Sequence, residues 1–517
     1  MDKSEEKTSE QTEHFVSKLL NMIPDDIKHV HLMGICGTGM ASLAGILKEM
    51  GYLVTGSDQD VYPPMSDLLE SIGIRVMKGY KAENLNPVPD LVVVGNVITR
   101  TNPEAVELAR IASPYVSFPQ AIGRFALRGK KSIVISGTHG KTTTSSLSAW
   151  LLHCAGKDPG FMIGGIPINF GVNFRLGRGR YFVIEGDEYD TAFFDKGPKF
   201  LHYEPWICTV TAIEFDHADI YRDLDHVASS FSRLISIIPE DGLLIANFDN
   251  ERLAKEAVAA RCLVSSYGLK DEGVWSVRKI KTEKGMTSLT IVRGGRDYLE
   301  IVTPLYGLHN VSNLLSVVVL GDFLGLSGAV MKEAMRDFRG VKRRQELVAD
   351  EEGITVLDDF AHHPTAVRET IAAVKSRYPA RRLIAVFEPR SNSSRRNVFQ
   401  ANYPDSFEGA DLVMIPRPPL LEKIDPEIRF SSERLVEDLR RNGFEAFYYQ
   451  DTNALLVSLS SMARYGDVVL FMSNGAFDNL PRRFSAAIMS QLQNYDHSSF
   501  RRSLSRTPIR EPESVTH

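Results

Sequence analysis

The sequence has only four cysteines, and they are widely spaced. Cys36, Cys154, Cys208 and Cys262 form no C-x-x-C pair, so neither a disulfide framework nor a zinc ribbon is supported and a reducing cytoplasm fits best. The chain also lacks any run of about 18 apolar residues, the length that a membrane-spanning helix needs. Met1–Lys28 is acidic and polar without a charged-then-apolar leader. We therefore expect neither secretion nor insertion into a membrane.

The charge balance lacks the positive excess of nucleic-acid-binding proteins. Sixty Lys and Arg residues oppose 65 Asp and Glu residues, which gives a formal net charge of -5. No global positive field exists to hold a polyanion, so we expect no nucleic-acid partner. With 517 residues, of which 43% are hydrophobic and 24% are charged, the composition is that of a folded protein with about three domains.

Three α/β series follow one another along the chain. HVHLMG, from His29, opens a strand–turn–helix–strand unit and predicts a parallel α/β domain over residues 29–127. KSIVIS restarts the pattern and opens a second domain over 128–341, and ITVLDDF supplies the first strand of a third domain over 342–492. Residues 1–28 and 493–517 are predicted to be an N-terminal extension and a disordered tail, because they carry few apolar residues.

The segment SGTHGKTTT stands between an apolar strand and an apolar helix. In such a loop, backbone N–H groups and the helix N-terminus bind phosphate oxygens, a lysine adds charge, and a hydroxyl can ligate Mg²⁺. The loop is shorter than the general phosphate loop, because Ile135 stands where the first glycine of that pattern should be. The segment predicts a nucleoside triphosphate site whose binding residues are Gly137, Thr138, His139, Gly140, Lys141, Thr142 and Thr143.

A second glycine-rich segment, GICGTGM, follows the first strand. Small residues there let the backbone approach a pyrophosphate at a helix N-terminus. Two other interpretations of this segment are open. It could be the dinucleotide loop of a nicotinamide-dependent dehydrogenase, although that loop would need glycine where Cys36 stands. It could also be a turn that only closes the strand–helix unit. Asp58, after the next strand, has a position suited to a ribose contact. The predicted substrate-binding residues here are Gly34, Gly37, Thr38, Gly39, Met40, Ser57 and Asp58.

Two acidic clusters, EGDEYD and EFDHAD, end predicted strands of the second domain. The carboxyl ends of parallel strands converge on the crevice where ligands bind, so Glu185 and His217 can reach a metal bound to phosphates of the loop. We predict Thr142, Glu185 and His217 as Mg²⁺ ligands. Solvated or helix-capping carboxylates are the alternative.

Further polar residues stand around the start of the third domain. Asn310 and Asn313 begin an apolar helix, where they can read an adenine edge or, in the case of Asn310, cap the helix. Arg344 offers a planar fork for phosphate. DDFAHHPTA ends a strand and predicts ribose or phosphate contact, with capping of the next helix by Asp359 as the alternative.

These motifs occur in the order found in the Mur ligase family of bacterial cell-wall enzymes, which the sequence resembles over roughly residues 29–485. The segments that carry the resemblance are GTHGKTTT, EGDEYD, T-x-I-E-x-D-H, GLHNVSN, F-x-G-x-x-x-R and DDFAHHP. The resemblance implies an α/β protein of three domains. These are a Rossmann-like N-terminal domain for a UDP-sugar, a central P-loop ATPase-like domain for ATP, and a Rossmann-like C-terminal domain for an amine or peptide.

The resemblance also implies roles for single residues. Lys141 and Thr142 would hold the γ-phosphate and Mg²⁺. The other implied contacts are Glu185 and His217 for the metal, Asn310 and Asn313 for adenine, and Arg344 and Asp359 for phosphate and ribose. The implied catalytic set is Lys141, Glu185, His217 and Arg344. Several relatives carry a carbamylated lysine after the metal-binding histidine, but SSFSR, residues 229–233, has no lysine there, so no modification is expected.

Within the family, GICGTGM, GSDQDVYPPMS, EPRSNSS and MSNGAF resemble members that join UDP-N-acetylmuramate to a recycled tripeptide, L-alanyl-γ-D-glutamyl-meso-diaminopimelate. Such members are ATP-dependent carbon–nitrogen ligases of peptidoglycan recycling that act through an acyl phosphate. The alternative is the ligase that adds free L-alanine, and a nucleotide-gated binding protein is a third hypothesis. We predict that Arg390, directly after Pro389 at a strand end, binds a peptide carboxylate. We expect a cytoplasmic monomer or weak homodimer.

Overall fold

The computed structural model of the 517-residue chain describes residues 19–61, 65–270, 273–351 and 353–494. The described residues up to Leu305, together with His309–Val341, form one compact unit, and Tyr306–Leu308 with the residues from Lys342 onward form a second. We call them unit 1 and unit 2. The predicted three-domain limits stay predictions. Residues 1–18 of the predicted extension and 495–517 of the predicted tail lie outside the described residues.

The N-terminal part of unit 1 is a parallel sheet with helices around it. Its strands are β1 (His29–Met33), β2 (Leu53–Asp58), β3 (Val76–Lys78), β4 (Leu91–Val94) and β5 (Tyr115–Ser117), in the order β3-β2-β1-β4-β5. Its helices are α1 (Thr38–Glu49), α2 (Met65–Ser71), α3 (Pro103–Ile111) and α4 (Phe118–Ile122). The strand order reverses between β1 and β4, which is where open α/β sheets bind ligands. The glycine-rich turn between β1 and α1 lies at that crevice.

The rest of unit 1 is built on a ten-stranded mixed sheet. Its strands are β6 (Lys131–Ser136), β7 (Gly160–Met162), β8 (Phe174–Arg175), β9 (Tyr181–Gly186), β12 (Ile207–Val210), β13 (Leu243–Asn247), β14 (Leu263–Tyr267), β15 (Trp275–Glu283), β16 (Met286–Arg293) and β17 (Arg296–Thr303), and β10 (Asp190–Ala192) and β11 (Asp195–Pro198) form a separate hairpin. The helices that follow are α5 (Lys141–Cys154), α6 (Leu224–Ser236), α7 (Glu251–Glu256), α8 (Leu308–Phe323) and α9 (Gly328–Asp337). Strands β12, β6 and β9 are parallel neighbours. Their carboxyl ends therefore lie at one edge.

The two sheets of unit 1 share a buried core. Asn173 Nδ2 donates to Ser42 Oγ on α1 at 2.9 Å, and a Cβ atom at Gly45 would overlap the ring of Phe174. The described end of the predicted N-terminal extension also contacts the first sheet, since Tyr115 N donates to the carbonyl oxygen of Leu20 at 2.9 Å. Unit 1 is therefore continuous from the first sheet to the second.

Unit 2 is a six-stranded sheet in the Rossmann-like arrangement. Its strands are β18 (Glu346–Glu351), β19 (Ile354–Asp359), β20 (Leu383–Phe387), β21 (Leu412–Pro416), β22 (Ala446–Tyr449) and β23 (Val468–Met472), in the order β18-β19-β23-β20-β21-β22. All neighbours except β18 and β19 pair in parallel. The helices are α10 (Pro364–Arg377), α11 (Ser432–Arg441), α12 (Thr452–Met462) and α13 (Leu480–Asn494). Among the described residues of both units, no helix is long and apolar enough to span a bilayer.

Substituting Gly45 with alanine should destabilise unit 1, although alanine favours a helix over glycine. The added methyl group must displace the ring of Phe174, and overpacking of this kind costs about 1–3 kcal/mol. We expect Gly45→Ala to lower the midpoint of thermal unfolding measured by calorimetry. Gly197→Ala is the control, because a Cβ atom there meets no atom within 4 Å. Equal midpoints for the two variants would contradict the close packing of α1 on Phe174.

Candidate active site

The turn between β1 and α1 is held by the end of β2. Gly34 N and Ile35 N donate to the carbonyl oxygen of Ser57 at 2.8 and 3.1 Å, and Cys36 N donates to Asp58 Oδ2 at 2.8 Å. Gly34 has a φ of +81°, a conformation that glycine adopts without strain. The carboxylate of Asp58 therefore fixes the turn itself, while its predicted ribose contact stays a prediction.

The predicted substrate residues of this turn differ in what they can present to a ligand. Gly37 is the N-cap of α1, which begins at Thr38, so their backbone N–H groups lie at a helix N-terminus. The side chain of Met40 is buried. Ser57 is fully buried, and its hydroxyl donates to Glu104 Oε2 at 2.6 Å. The side chain of Ser57 therefore points into the core. Its partner Glu104 was not predicted from the sequence.

The phosphate loop joins β6 to α5 and lies against the chain that follows β12. Gly137 and Gly140 have φ values of +121° and +78°. A Cβ atom at Gly137 would also overlap Thr211, so both positions favour glycine. Thr138 N donates to the carbonyl oxygen of Ala212 at 3.0 Å. The loop residues predicted from sequence therefore share one turn at the N-terminus of α5, a position that suits phosphate oxygens, and their contact with a nucleotide stays a prediction.

Lys141, the first residue of α5, is held by a carbonyl and by acids. Its Nζ donates to the oxygen of Gly137 at 2.8 Å and to Glu188 Oε2 at 3.0 Å, and it lies 3.9 Å from Asp187 Oδ1. Burial lowers the pKa of Lys141, but Glu188 and Asp187 outweigh burial and raise this pKa overall. For the carboxyl group of Glu188 the signs are opposite. Burial raises the pKa of Glu188, and Lys141 and His217 outweigh burial and lower this pKa to about 2. Both members of the pair are therefore charged at neutral pH.

Sequence reasoning selected Glu185 from EGDEYD and missed Glu188. The two acids have different neighbours in the structure. Thr142 Oγ1 donates to Glu185 Oε2 at 3.3 Å, and Gly164 N donates to the other oxygen of Glu185 at 2.7 Å. β9 ends at Gly186, so the alternation of side chains along a strand could not show which acid in the following turn faces Lys141. The only signal for Glu188 was its membership of the same acidic cluster.

His217 follows β12 and faces Glu188. Its backbone has a φ of +52°, and its Nε2 lies 3.4 Å from Glu188 Oε1. Burial lowers the pKa of His217, but Glu188 and Asp216 raise this pKa above its ordinary value. Mg²⁺ prefers oxygen ligands, and the oxygens of Thr142 and Glu185 fit that preference. Direct coordination by the imidazole stays a prediction.

Two predicted adenine contacts lie beside the phosphate loop. Asn310 and Asn313 are buried near the start of α8, and Asn313 Nδ2 donates to Asn310 Oδ1 at 3.4 Å. A Cβ atom at Gly140 would overlap Asn313 Oδ1. Asn313 therefore supports the turn of the loop, and its contact with adenine stays a prediction.

Asp359 ends β19 in unit 2 and organises two backbone segments. Its Oδ2 accepts from Gln345 N at 2.8 Å, and its Oδ1 accepts from Ala361 N at 2.7 Å. The guanidinium carbon of Arg344 lies 4.3 Å from the centroid of the Phe360 ring. Asp359 thus positions the segment that carries Arg344, and the predicted contacts of both residues with ribose and phosphate stay predictions.

The segments EPRSNSS and MSNGAF meet in unit 2, because β20 and β23 pair in parallel. The side chain of Arg390 crosses Gly475, where a Cβ atom would overlap it. Arg390 Nη1 lies 3.7 Å from Glu388 Oε1, and Ser473 Oγ donates to Glu388 Oε2 at 2.5 Å. Arg395, by contrast, is buried and donates to Ser391 and Asn392 of its own turn and to the carbonyl oxygen of Leu420. Arg390 therefore places a partly exposed cation beside an acid at this edge.

Replacing Glu188 with glutamine should lower the pKa of His217. The substitution removes the larger of the two charges that raise this pKa, so that Asp216 alone opposes the lowering by burial and by Lys141. NMR titration of the His217 ring in chelator-treated protein measures the change. Asp225→Asn is the control, because Asp225 is exposed on α6 and pairs with Arg252. An unchanged His217 pKa in Glu188→Gln would contradict the contact.

Comparisons with known proteins agree with this geometry. Three family models match: Mur ligase family, catalytic domain, at residues 29–130, Mur ligase middle domain, at 135–321, and Mur ligase, glutamate ligase domain, at 343–475. The UDP-N-acetylmuramate–L-alanyl-γ-D-glutamyl-meso-2,6-diaminoheptandioate ligase of Escherichia coli (strain K12) is 38% identical over 455 residues, which cover 88% of this chain and 97% of that protein.

Two solved structures are also similar. A murein peptide ligase from Psychrobacter arcticus 273-4 has 33% identity and a TM-score of 0.68, with 89% of this chain and 98% of that chain covered. A UDP-N-acetylmuramate-alanine ligase from Thermotoga maritima has 25% identity and a TM-score of 0.75, with 90% and 100% covered. On the identity to the Escherichia coli ligase and the three matching models, the chain belongs to the Mur ligase family.

Proposed function

We propose that this protein is a murein peptide ligase, which joins UDP-N-acetylmuramate to L-alanyl-γ-D-glutamyl-meso-diaminopimelate with ATP as the energy source. The observation that carries the choice of substrates is the 38% identity to an Escherichia coli ligase named for them, which the chain matches over 97% of its length. We further propose that it acts in the cytoplasm, where ATP is available, and that it serves peptidoglycan recycling.

The alternative is a ligase that adds free L-alanine to the same sugar nucleotide. The TM-score is higher for a structure of that kind, 0.75 against 0.68, so likeness of the backbone does not separate the two activities. Sequence identity does favour the tripeptide, at 33% against 25% for the same two structures. The side chains of unit 2 add a chemical reason. Diaminopimelate carries a carboxylate and an ammonium on its distal carbon, and Arg390 and Glu388 place a cation and an acid 3.7 Å apart.

The proposed reaction has two bond-forming steps. A carboxylate oxygen of the sugar nucleotide bonds to the γ-phosphorus as the bond to the ADP oxygen breaks, and the peptide amine then displaces phosphate from the acyl phosphate. Bound Mg²⁺ would neutralise charge on the phosphoryl oxygens. Thr142 and Glu185 supply the oxygen atoms suited to holding it.

The residues of the loop position and stabilise charge. Because Glu188 keeps Lys141 protonated, a permanent cation stands at the N-terminus of α5, where the transferred phosphoryl group is bound. His217, whose pKa is raised by the same carboxylate, places Nε2 3.4 Å from Glu188 Oε1 and restrains Glu188 from its other side. Preorganised charge of this kind is the main source of rate enhancement in phosphoryl transfer.

Lys141→Ala should abolish turnover while UDP-N-acetylmuramate still binds. Removing a charge aimed at the transferring phosphoryl group should lower kcat on the order of a hundredfold or more. Phosphate release in the presence of both substrates measures turnover, and calorimetry measures binding of the sugar nucleotide. Lys48→Ala, on the exposed end of α1, should behave as wild type. Near-normal turnover of Lys141→Ala would show that this loop is not the phosphoryl-transfer site.

The wild-type protein should use the tripeptide efficiently and free L-alanine poorly. Arg390→Ala should raise the KM for the tripeptide roughly tenfold, because a charge-assisted hydrogen bond is lost, and should leave the KM for ATP nearly unchanged. Steady-state phosphate release with each amine in turn measures both effects. Arg434→Ala, at an exposed position of α11, is the matched control. A preference for free L-alanine would overturn the tripeptide assignment in favour of the alternative.

A further inference from the structure

Lys199 is a second buried cation near the phosphate-loop lysine, and the function proposed above does not use it. Its side chain is 12% exposed, and its Nζ lies 3.3 Å from Asp187 Oδ2. The other oxygen of Asp187, Oδ1, lies 3.9 Å from the Nζ of Lys141. A single carboxylate therefore stands between two ammonium groups.

The hairpin of β10 and β11 fixes the place of Lys199. Asp195, at the start of β11, accepts from Ser117 Oγ at 2.9 Å. Phe194, in the turn of the hairpin, packs edge-on against Tyr115 with ring centroids 4.9 Å apart. The hairpin is thus anchored on β5 of the first sheet. Lys199 follows directly after β11, so its backbone is held by the same anchor.

Aromatic rings connect Lys199 to the first glycine-rich turn. Its Nζ lies 3.9 Å from the centroid of Tyr189 and 5.7 Å from the centroid of Phe118. A Cβ atom at Gly39, in the first turn of α1, would lie 3.0 Å from Cζ of Phe118. Lys199 therefore lies between two features. The phosphate loop is on the side of Asp187, and the turn predicted to bind the sugar nucleotide is on the side of Phe118.

The ammonium of Lys199 has unused capacity for an anion. An ammonium has three N–H donors, and within the described parts of the chain Lys199 donates one hydrogen bond, to Asp187. Burial lowers the pKa of Lys199, and Asp187, which raises it, does not fully compensate. A buried cation with incomplete compensation is stabilised by an incoming anion.

We propose that Lys199 binds the carboxylate of the sugar nucleotide, the group that accepts the phosphoryl group. This inference rests on the proposed function. The accepting carboxylate must lie between the phosphate loop and the turn that holds the sugar nucleotide, and Lys199 is the cation that faces both. The ammonium holds the carboxylate in place before transfer and offsets the charge on the acyl phosphate after it.

The test compares two sugar nucleotides that differ in this carboxylate. UDP-N-acetylglucosamine lacks the lactoyl group of UDP-N-acetylmuramate and is otherwise the same molecule. Calorimetry without ATP measures the affinity of wild type, Lys199→Met and Lys199→Gln for each. Both variants should bind UDP-N-acetylmuramate roughly tenfold or more weakly, the effect of losing a charged hydrogen bond. Both should bind UDP-N-acetylglucosamine as wild type does.

Lys196→Met is the matched control from the same hairpin. The Lys196 side chain is 65% exposed and pairs with Asp190 at 2.9 Å, so this variant should bind both sugar nucleotides normally. Lys199→Arg keeps the charge and should recover most of the affinity for UDP-N-acetylmuramate. The midpoint of thermal unfolding and the affinity for ADP show whether each variant is folded, and the glutamine variant serves if the methionine variant is not.

The outcomes separate this inference from the proposed function. Normal binding of UDP-N-acetylmuramate by folded Lys199→Met or Lys199→Gln would overturn the role of Lys199 alone. An equal loss for both sugar nucleotides would also overturn it, because the residue would then support the hairpin or contact another part of the ligand. If the wild type releases no phosphate with UDP-N-acetylmuramate and tripeptide, the proposed function itself fails.

Discussion

A buried ammonium at the N-terminus of a helix is the constraint on which the site of unit 1 depends. Lys141 stands where burial opposes a positive charge and where the helix dipole opposes it too. Glu188 and the carbonyl oxygen of Gly137 compensate for both effects. Parallel pairing brings the ends of β6 and β9 to one edge of the sheet, and there this ammonium ties the glycine loop to the turn after β9.

A carboxylate also holds the first glycine-rich turn, but it bonds to the backbone and not to a lysine. There the carboxylate of Asp58, at the end of a neighbouring strand, accepts from the backbone N–H of Cys36. Glu104 holds that strand end by accepting a hydrogen bond from the hydroxyl of Ser57. At the other glycine turn, Glu188 follows the end of β9 and holds the side chain of Lys141. In unit 2, Asp359 at the end of β19 also accepts from backbone N–H groups, those of Gln345 and Ala361.

The sequence was sufficient for the elements whose signals are local. Apolar strand patterns and glycine loops predicted the α/β class and the glycine turn before Lys141, and the strand order of the first sheet is the Rossmann-like one. It was insufficient where a side chain's direction depends on a turn. Glu188 and Lys199 both follow strand ends, and their partners are distant in sequence. The oxygens of Asp359 hold backbone N–H groups, a role that only tertiary packing reveals, and its predicted contact with a ligand stays a prediction.

The charges of unit 1 also show why a divalent cation suits this site. Near the loop, the ammonium groups of Lys141 and Lys199 supply positive charge, and Glu185, Asp187 and Glu188 supply three carboxylates. These groups come close to cancelling one another. A triphosphate and an accepting carboxylate would add several negative charges to a buried space, where uncompensated charge is costly. Two lysine charges are fewer than the negative charges that these ligands would add, so the lysines cannot offset that excess alone. Thr142 and Glu185, which present oxygen atoms beside the loop, supply the ligand type through which Mg²⁺ would do so.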